Sequence, residues 1–183
     1  MKSFYCAFPM VVVLAFNAFG QTAAAFPGVT ARQLTQLRTI KQTIPVPLPT
    51  WLPPGFKLEK IRSKLGRSVK IYEREMVLIY SRTLPNGKMQ RFALEAGFDG
   101  LGDLMYDETK IISSSLGRIY LIYEPFDPEE NKKLENYAMT QWFRVGTLDY
   151  HYVGMYGFDE GDNDMEMISL AETERILKSL RRL

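Results

Sequence analysis

The stretch EMVLIYSRTLPNGKMQRFALEAG, Glu75 to Gly97, decides the fold. Its two halves are dense in β-branched and aromatic residues, which favour strands. Between them, Leu84-Pro85-Asn86-Gly87 predicts a tight turn, because proline suits the first central position and Gly87 can adopt a positive φ without steric cost. We therefore predict that Glu75–Thr83 and Lys88–Glu95 form an antiparallel hairpin.

Strand signals continue on both sides of this hairpin, from Phe56 to Tyr156. FKLEKIRSK alternates apolar and charged residues, and VKIYE is rich in β-branched and aromatic residues, so both predict strands. TKIISSS and GRIYLIYEPF predict a second hairpin around Leu116-Gly117. Tyr137–Val145 and Thr147–Tyr156 predict a third strand pair, which turns at Gly146. The glycine-rich GFDGLGDL predicts a loop between the first and second hairpins.

Helical periodicity flanks this strand region. Thr30 to Ile44 and Ser169 to Leu183 each place apolar residues three and four positions apart. Each segment also begins with a hydroxyl residue followed three positions later by Gln or Glu, the signature of a capping box. We predict a single α+β domain: a mostly antiparallel twisted sheet with one helix before it and one after it, the second helix packed on one face.

A proline-rich segment separates the first helix from the sheet. PVPLPTWLPP contains five prolines in ten residues, and proline both lacks an amide donor and disfavours helix in the preceding residue. The segment is therefore predicted to be extended and stiff, either lying across its own domain or serving as a ligand for a partner. We divide the chain into 1–25 (leader), 26–50 (helix plus proline-rich linker) and 51–183 (α+β domain).

The amino terminus has the features of a secretory signal peptide. Lys2 gives a positive start, Met10–Phe19 is an apolar run, and Ala23–Ala25 offers the small residues of a cleavage site. We predict cleavage after Ala25, which makes the protein exported, either periplasmic or extracellular, with no stable transmembrane span afterwards. The alternative is an uncleaved anchor from Phe4 to Val29, although that span is interrupted by polar residues.

Composition limits the chemistry of the mature chain. Cys6, the only cysteine, lies in the leader, so the mature chain has no disulfide, thiolate nucleophile or cysteine metal site. The chain has 23 basic and 21 acidic residues, and removal of the leader with Lys2 leaves 22 and 21. A net charge of +1 gives no electrostatic footprint for nucleic acid, and we expect no nucleic-acid partner and no cofactor.

The stretch DEGDNDME, Asp159 to Glu166, has five acidic residues in eight. A calcium loop needs glycine at its sixth position and glutamate at its twelfth, but a loop that starts at Asp162 has Met167 and Thr173 there. We therefore predict a solvated turn and assign no metal ligand. A looser cation site remains open, and its candidate ligands are Asp159, Asp162, Asp164 and Glu166.

His151, the only histidine, shares one side of a predicted strand with Asp149, as an orienter and a base would. No G-x-S-x-G nucleophile motif accompanies the pair, so we interpret it as structural and assign no catalytic residue. The opposite side of the strand carries an aromatic stripe. It either packs under the terminal helix or floors an apolar pocket, so the candidate ligand-binding residues are Tyr150, Tyr152, Tyr156 and Trp142.

Two short motifs carry a family resemblance. Leu52-Pro53-Pro54-Gly55-Phe56 leads into an alternating strand, and Ile176-Leu177-Lys178-Ser179-Leu180 lies in the last helical stretch. Over about Trp51 to Leu183 the chain resembles a bacterial extracytoplasmic domain of unknown function that is found on anti-sigma factors. It is also similar to the carboxy-terminal part of periplasmic sigma-E regulators related to lipoprotein carriers. The resemblance implies meandering antiparallel strands with a final helix, and it supplies no catalytic residue.

These observations favour a non-enzymatic envelope protein. We expect it to bind a protein, peptide or lipid partner through the aromatic face of the sheet or through a sheet edge. Two alternatives stay open. One is a metal-assisted or His/Asp hydrolase that uses Asp149 and His151 or the acidic stretch, and the other is a structural component of envelope assembly.

Overall fold

The computed structural model describes residues 26–66, 68–97, 109–123, 138–157 and 164–183. The predicted leader, most of the predicted glycine-rich loop and the larger part of the acidic stretch lie outside these residues. The described helices are α1 (Ala31–Lys41) and α2 (Leu170–Lys178). The described strands are β1 (Pro47–Pro49), β2 (Lys57–Lys64), β3 (Glu75–Thr83), β4 (Met89–Gly97), β5 (Thr109–Ser114), β6 (Gly117–Tyr123), β7 (Ala138–Thr140), β8 (Phe143–Val145), β9 (Leu148–Gly154) and β10 (Leu180–Arg182).

Eight of these strands form one antiparallel sheet in the order β2-β3-β4-β9-β7-β6-β5, with β8 also paired to β9. Strands β1 and β10 form a separate two-stranded antiparallel sheet. The predicted α+β class, with a mostly antiparallel sheet, an amino-terminal helix and a carboxy-terminal helix, is confirmed.

The hairpin that decides the fold forms as predicted. Strands β3 and β4 pair over their whole length, from Glu75 opposite Gly97 to Thr83 opposite Met89. Gly87 has a φ of 84°, and its amide donates to the Leu84 carbonyl at 2.9 Å. The β5–β6 and β8–β9 hairpins also form where the turn signals predict them.

Three local predictions are wrong. The predicted strand VKIYE contains a short 3₁₀ helix, Ile71–Glu73, and the predicted strand 137–145 is interrupted at Gln141 and Trp142, between β7 and β8. The predicted final helix ends at Lys178. It ends there because the next residues pair as β10 with the proline-rich β1, and the Ser179 hydroxyl donates to the Ile176 carbonyl at 2.8 Å.

One face of the sheet carries the main core. We call it the helix face, and on β3, β4 and β9 it consists of Met76, Leu78, Tyr80, Arg82, Gln90, Phe92, Leu94, Ala96, Leu148, Tyr150 and Tyr152. The ring of Phe92 stacks on Tyr80 at 4.8 Å and on Tyr152 at 5.2 Å between centroids. Ile176 and Leu177 of α2 and Leu37 of α1 belong to the same core.

The segment assigned as linker also contributes to this core. Val46 and Leu48 are buried in it together with Leu37 and Ile40 of α1. The Leu183 amide donates to the Val46 carbonyl at 2.9 Å. Apolar residues of α1 and of the predicted linker therefore belong to the same core as the sheet.

The other side of the sheet, the opposite face, has a different composition. It carries the alternate residues of each strand, such as Ala93 and Glu95 of β4 and His151 of β9. Ile79, Ala93 and Ile122 are buried on this face, but they are not members of the main core cluster. Among the described residues, the buried apolar side chains of α1 and α2 belong to the core of the helix face. A site with accessible side chains is therefore expected on the opposite face.

Candidate functional site

The two tyrosines that the sequence proposed as ligand contacts at positions 150 and 152 lie on the helix face and are fully buried. The Tyr150 hydroxyl donates to the Pro45 carbonyl, and burial raises the pKa of Tyr150. The Tyr152 hydroxyl lies 3.4 Å from the Thr173 hydroxyl of α2. Both side chains pack under the neighbouring elements, so neither presents an accessible surface to a ligand in this structure.

Tyr156 and Trp142 contact Glu95 and His151 on the opposite face, and both are partly exposed. The alternation of the sequence placed Tyr156 beside Tyr152, and that placement is wrong. Strand β9 ends at Gly154 and Met155 has a φ of 51°, so the alternation stops before Tyr156. The Tyr156 hydroxyl instead bonds the carboxylate of Glu95, which pairs in register with His151.

Among the described residues, His151 is the most buried titratable group of this face, with 8% of its surface exposed. Its Nδ1 atom lies 4.0 Å from Oε2 of Glu95, and the Trp142 ring lies 4.9 Å from the imidazole centroid. Burial lowers the pKa of His151 to about 4, so the imidazole is neutral at pH 7. Burial also raises the pKa of Glu95, while the Tyr156 hydrogen bond lowers it and the nearby Glu75 raises it.

Asp149 does not orient His151 in this structure. Its two carboxylate oxygens accept from Nε and Nη2 of Arg144 at 2.6 and 2.7 Å, which is a bidentate ion pair. Glu95 is the carboxylate beside the imidazole, at a distance longer than a hydrogen bond. The Nε2 atom of His151 has no hydrogen-bond partner in the described part of the chain. The geometry therefore does not assemble the Asp149–His151 pair that the sequence suggested.

Only part of the acidic stretch can be placed. Asp159 and Asp162 lie outside the described residues. The amide of Met89 donates to the Asp164 carbonyl at 2.6 Å, and the Glu166 amide donates to the Met89 carbonyl at 2.8 Å. The Glu166 carboxylate accepts from Asn86 at 3.2 Å and lies 3.8 Å from the Lys88 ammonium. Within the described ranges no three His, Asp or Glu side chains are placed to hold a metal ion.

Among the described residues, the main strand order of the sheet ends in β2 on one side and β5 on the other, and these two strands differ in character. Strand β2 carries four basic residues, Lys57, Lys60, Arg62 and Lys64, and its pairing with β3 is irregular between Leu58 and Lys60. Charges and bulges are the devices by which natural sheets prevent unwanted strand pairing. The edge formed by β2 is therefore protected.

Strand β5 lacks this protection. Its single charged residue, Lys110, points to the helix face, where its ammonium lies 2.5 Å from the Glu174 carboxylate. On the opposite face, Ile111 and Tyr120 are directly paired across β5 and β6 and are 53% and 36% exposed. One side of the β5 backbone has no strand partner among the described residues. An unpaired backbone edge beside exposed apolar side chains can accept a further strand.

Sequence reasoning did not single out Ile111 and Tyr120. A signal was present, because consecutive residues of a strand point to opposite faces, so Ile111 and Ile112 cannot both be in the helix-face core. The sequence contains no comparable signal for the position of β5 at the edge of the sheet. That position depends on β4 pairing with β9 rather than with β5, which follows it in the chain.

Comparison with known protein families, with curated proteins and with solved structures finds no match to this chain. No helix in the described ranges is long and apolar enough to cross a bilayer.

Proposed function

We propose that this protein is an exported, non-enzymatic domain that binds an extended segment of a partner protein along β5. The observation that carries the proposal is the β5 edge itself, with its unpaired backbone and the exposed pair of Ile111 and Tyr120. Export depends on the predicted leader at residues 1–25, and the resemblance to extracytoplasmic domains agrees with it.

Backbone hydrogen bonds would supply much of the affinity. In an edge strand, alternate residues direct their N–H and C=O groups away from the sheet, where an added strand can pair with them. Strand β5 has six residues, from Thr109 to Ser114, which is a common strand length. A short extended peptide can therefore satisfy the outward groups of β5 without any rearrangement of the sheet.

The exposed apolar pair would favour particular partner side chains. An apolar residue of the added strand, placed beside Ile111 on the opposite face, would extend the row that Tyr120 and Ile111 already form. Burial of apolar surface contributes roughly 25 cal/mol per Å². Loss of either side chain is therefore expected to weaken binding by about tenfold, because about 1.4 kcal/mol corresponds to a factor of ten.

The test uses the mature chain, residues 26–183, and peptides selected from a library for binding to it. Hydrogen exchange of residues 109–114 is compared with and without peptide, and 57–64 of β2 serves as the internal control. We expect protection of β5 amides alone. The Ile111→Thr and Tyr120→Thr variants should bind about tenfold more weakly. The Tyr72→Thr variant is the matched control, because Tyr72 is 60% exposed and lies away from β5.

Two results would contradict the proposal. One is the absence of any selected peptide at concentrations up to about 1 mM, a limit that corresponds to roughly 4 kcal/mol of binding free energy. The other is binding that leaves β5 exchange unchanged and is equally sensitive to Tyr72→Thr. Binding of lipid vesicles instead of peptides would point to the lipid alternative and would also count against strand addition.

A further inference from the structure

A basic group lies at the Ser114 end of β5. Arg118 of β6 is exposed and stands directly opposite Ser113 in the register of the hairpin. The Ser115 hydroxyl donates to the Leu180 carbonyl at 2.9 Å, which brings β10 against the same turn. The residue after Leu180 is Arg181, and it is also exposed.

Neither of these arginines is neutralised by a described acidic side chain. Arg181 donates through Nη1 to the carbonyls of Lys178 and Leu180, at 3.0 and 2.8 Å, and no acidic group contacts it in the described ranges. Arg118 likewise forms no ion pair with a described residue. The acidic residue of α2 that faces β5 is Glu174, and it is already paired with Lys110 at 2.5 Å and with Lys178 at 3.6 Å.

From this charge distribution we infer that the segment bound along β5 is acidic, with its carboxylates beside Arg118 and Arg181 and an apolar residue beside Ile111. The inference rests on the proposed function and specifies its partner. Extended acidic peptides fit because their backbone pairs with β5 while their side chains supply the charge that this end of the strand lacks.

A second copy of the chain fits this edge less well. Strand β5, TKIISS, contains one lysine and no acidic residue. If two β5 strands paired with each other, the six paired residues of the added copy would themselves bring no carboxylate to Arg118 or Arg181, because the nearest acidic residues, Asp107 and Glu108, precede the strand in the sequence. A segment of another protein that carries carboxylates within its paired strand therefore complements this edge better than a second copy does.

The experiment compares four labelled peptides by fluorescence anisotropy on the mature chain, residues 26–183. The first alternates valine and threonine and ends in two glutamates. The second and third replace the glutamates by glutamine or by lysine, and the fourth keeps the glutamates but replaces the threonines by proline. We expect the glutamate peptide to bind about tenfold more tightly than the lysine peptide at low ionic strength. The proline peptide should not bind, because proline cannot donate to the ladder.

Variants show whether the preference comes from the assigned arginines. The Arg118→Gln/Arg181→Gln double variant should bind the glutamate and glutamine peptides equally. The Lys57→Gln/Lys60→Gln variant removes the same charge from the β2 edge and should keep the preference. Salt near 1 M should reduce the preference of the wild-type protein for the glutamate peptide, because the Debye length is then about 3 Å.

The outcomes separate this inference from the proposed function. Equal binding of the glutamate, glutamine and lysine peptides, with protection of β5 in hydrogen exchange, would overturn the acidic preference and leave strand addition standing. Loss of the preference in the β2 variant would also overturn it. Failure of all four peptides, together with failure of the library-selected peptides, would overturn both.

Discussion

The two faces of the sheet differ in burial and in polarity, and strand β9 contributes side chains to both. On the helix face it presents Tyr150 and Tyr152, which are fully buried in the main core. On the opposite face it presents Asp149, which forms a bidentate ion pair with Arg144, and His151. The imidazole of His151 lies beside the Glu95 carboxylate and the Trp142 ring. The helix face therefore supplies stability, while polar and partly exposed groups are concentrated on the opposite face.

This division explains why the aromatic stripe of β9 is a poor guide to function. A tyrosine has the same sequence signature whether it lines a pocket or fills a core. The ring of Tyr152 stacks on Phe92 and the ring of Tyr150 lies near Phe143, whereas the exposed pair Ile111 and Tyr120 lies on β5 and β6, three and two strands away from β9. At the β5 end of the sheet, by contrast, an unpaired side of the backbone lies beside exposed side chains among the described residues.

The largest effect should come from the centre of the helix face. Phe92 is fully buried between the rings of Tyr80 and Tyr152. Phe92→Ala is expected to lower the free energy of unfolding by about 3–5 kcal/mol, because it removes that contact surface and leaves a cavity. Urea denaturation of the mature chain measures it. Tyr120→Ala on the opposite face is the control and should cost less than about 1 kcal/mol; equal losses would mean that the two faces do not differ.

The next effect is a pH dependence that belongs to the opposite face. Burial lowers the pKa of His151 from its ordinary value of 6.5 to about 4. Between these two pH values the imidazole is protonated in the unfolded chain and neutral in the folded chain. The stabilising contribution is complete above pH 6.5 and is lost as the pH falls towards 4, by up to about 3 kcal/mol. Denaturation at a series of pH values should show this loss in the wild type and not in His151→Gln.

Glu95 also titrates with a shifted pKa, so the wild type has to be compared with His151→Gln. The folded pKa of Glu95 is raised, so its contribution to stability has the opposite sign: it increases as the pH falls through the raised value. Glu95, Glu75 and the Tyr156 hydroxyl are present in both proteins, and the difference between wild type and His151→Gln therefore isolates the histidine. A difference that stays constant from about pH 7 to about pH 4 would show that the imidazole is not desolvated.

The local parts of this fold were predictable from the sequence, but its long-range parts were not. Each hairpin has its own turn signal, and Gly87, Gly117 and Gly146 all adopt the positive φ that such turns require. The capping box of α1 forms with both of its hydrogen bonds. These features depend on residues only a few positions apart, so the sequence records them directly.

Features set by distant pairing were missed. The last helix was predicted to continue to Leu183, because Leu180 and Leu183 keep the helical spacing. Pairing of Leu180–Arg182 with Pro47–Pro49, more than a hundred residues earlier, ends it instead. The same limit applies to the candidate site, since the accessibility of Ile111 depends on the position of β5 at the end of the sheet.

Ion pairs on the two faces should differ in a smaller but measurable way. Arg82 joins β3 to α2: it donates twice to the Glu172 carboxylate, at 3.1 and 3.0 Å, and once to Gln90 at 2.7 Å. Its guanidinium also lies 4.7 Å from the ring centroid of Phe56. Arg82→Ala should cost about 1–3 kcal/mol, because these partly buried partners lose a charged donor.

Arg91 is the matched arginine of the opposite face. It pairs with the more exposed Glu59 at 3.2 Å, and Arg91→Ala should change the free energy of unfolding by no more than about 0.5 kcal/mol. Chemical denaturation of both variants at low and high salt measures the difference. If Arg91→Ala cost as much as Arg82→Ala, the opposite face would contribute to stability as the helix face does.

The smallest effect is expected at the proposed binding strand, where two neighbouring isoleucines point to different faces. Ile112 is buried on the helix face, whereas Ile111 is 53% exposed on the opposite face. Ile111→Thr should change stability by less than about 0.5 kcal/mol, since threonine keeps the β-branched shape that suits a strand. Ile112→Thr should cost about 2 kcal/mol, because it buries a hydroxyl in the core. Thermal and urea denaturation compare the pair. A similar loss in both variants would mean that Ile111 is held by packing, and an isoleucine so held would not be available to a partner strand.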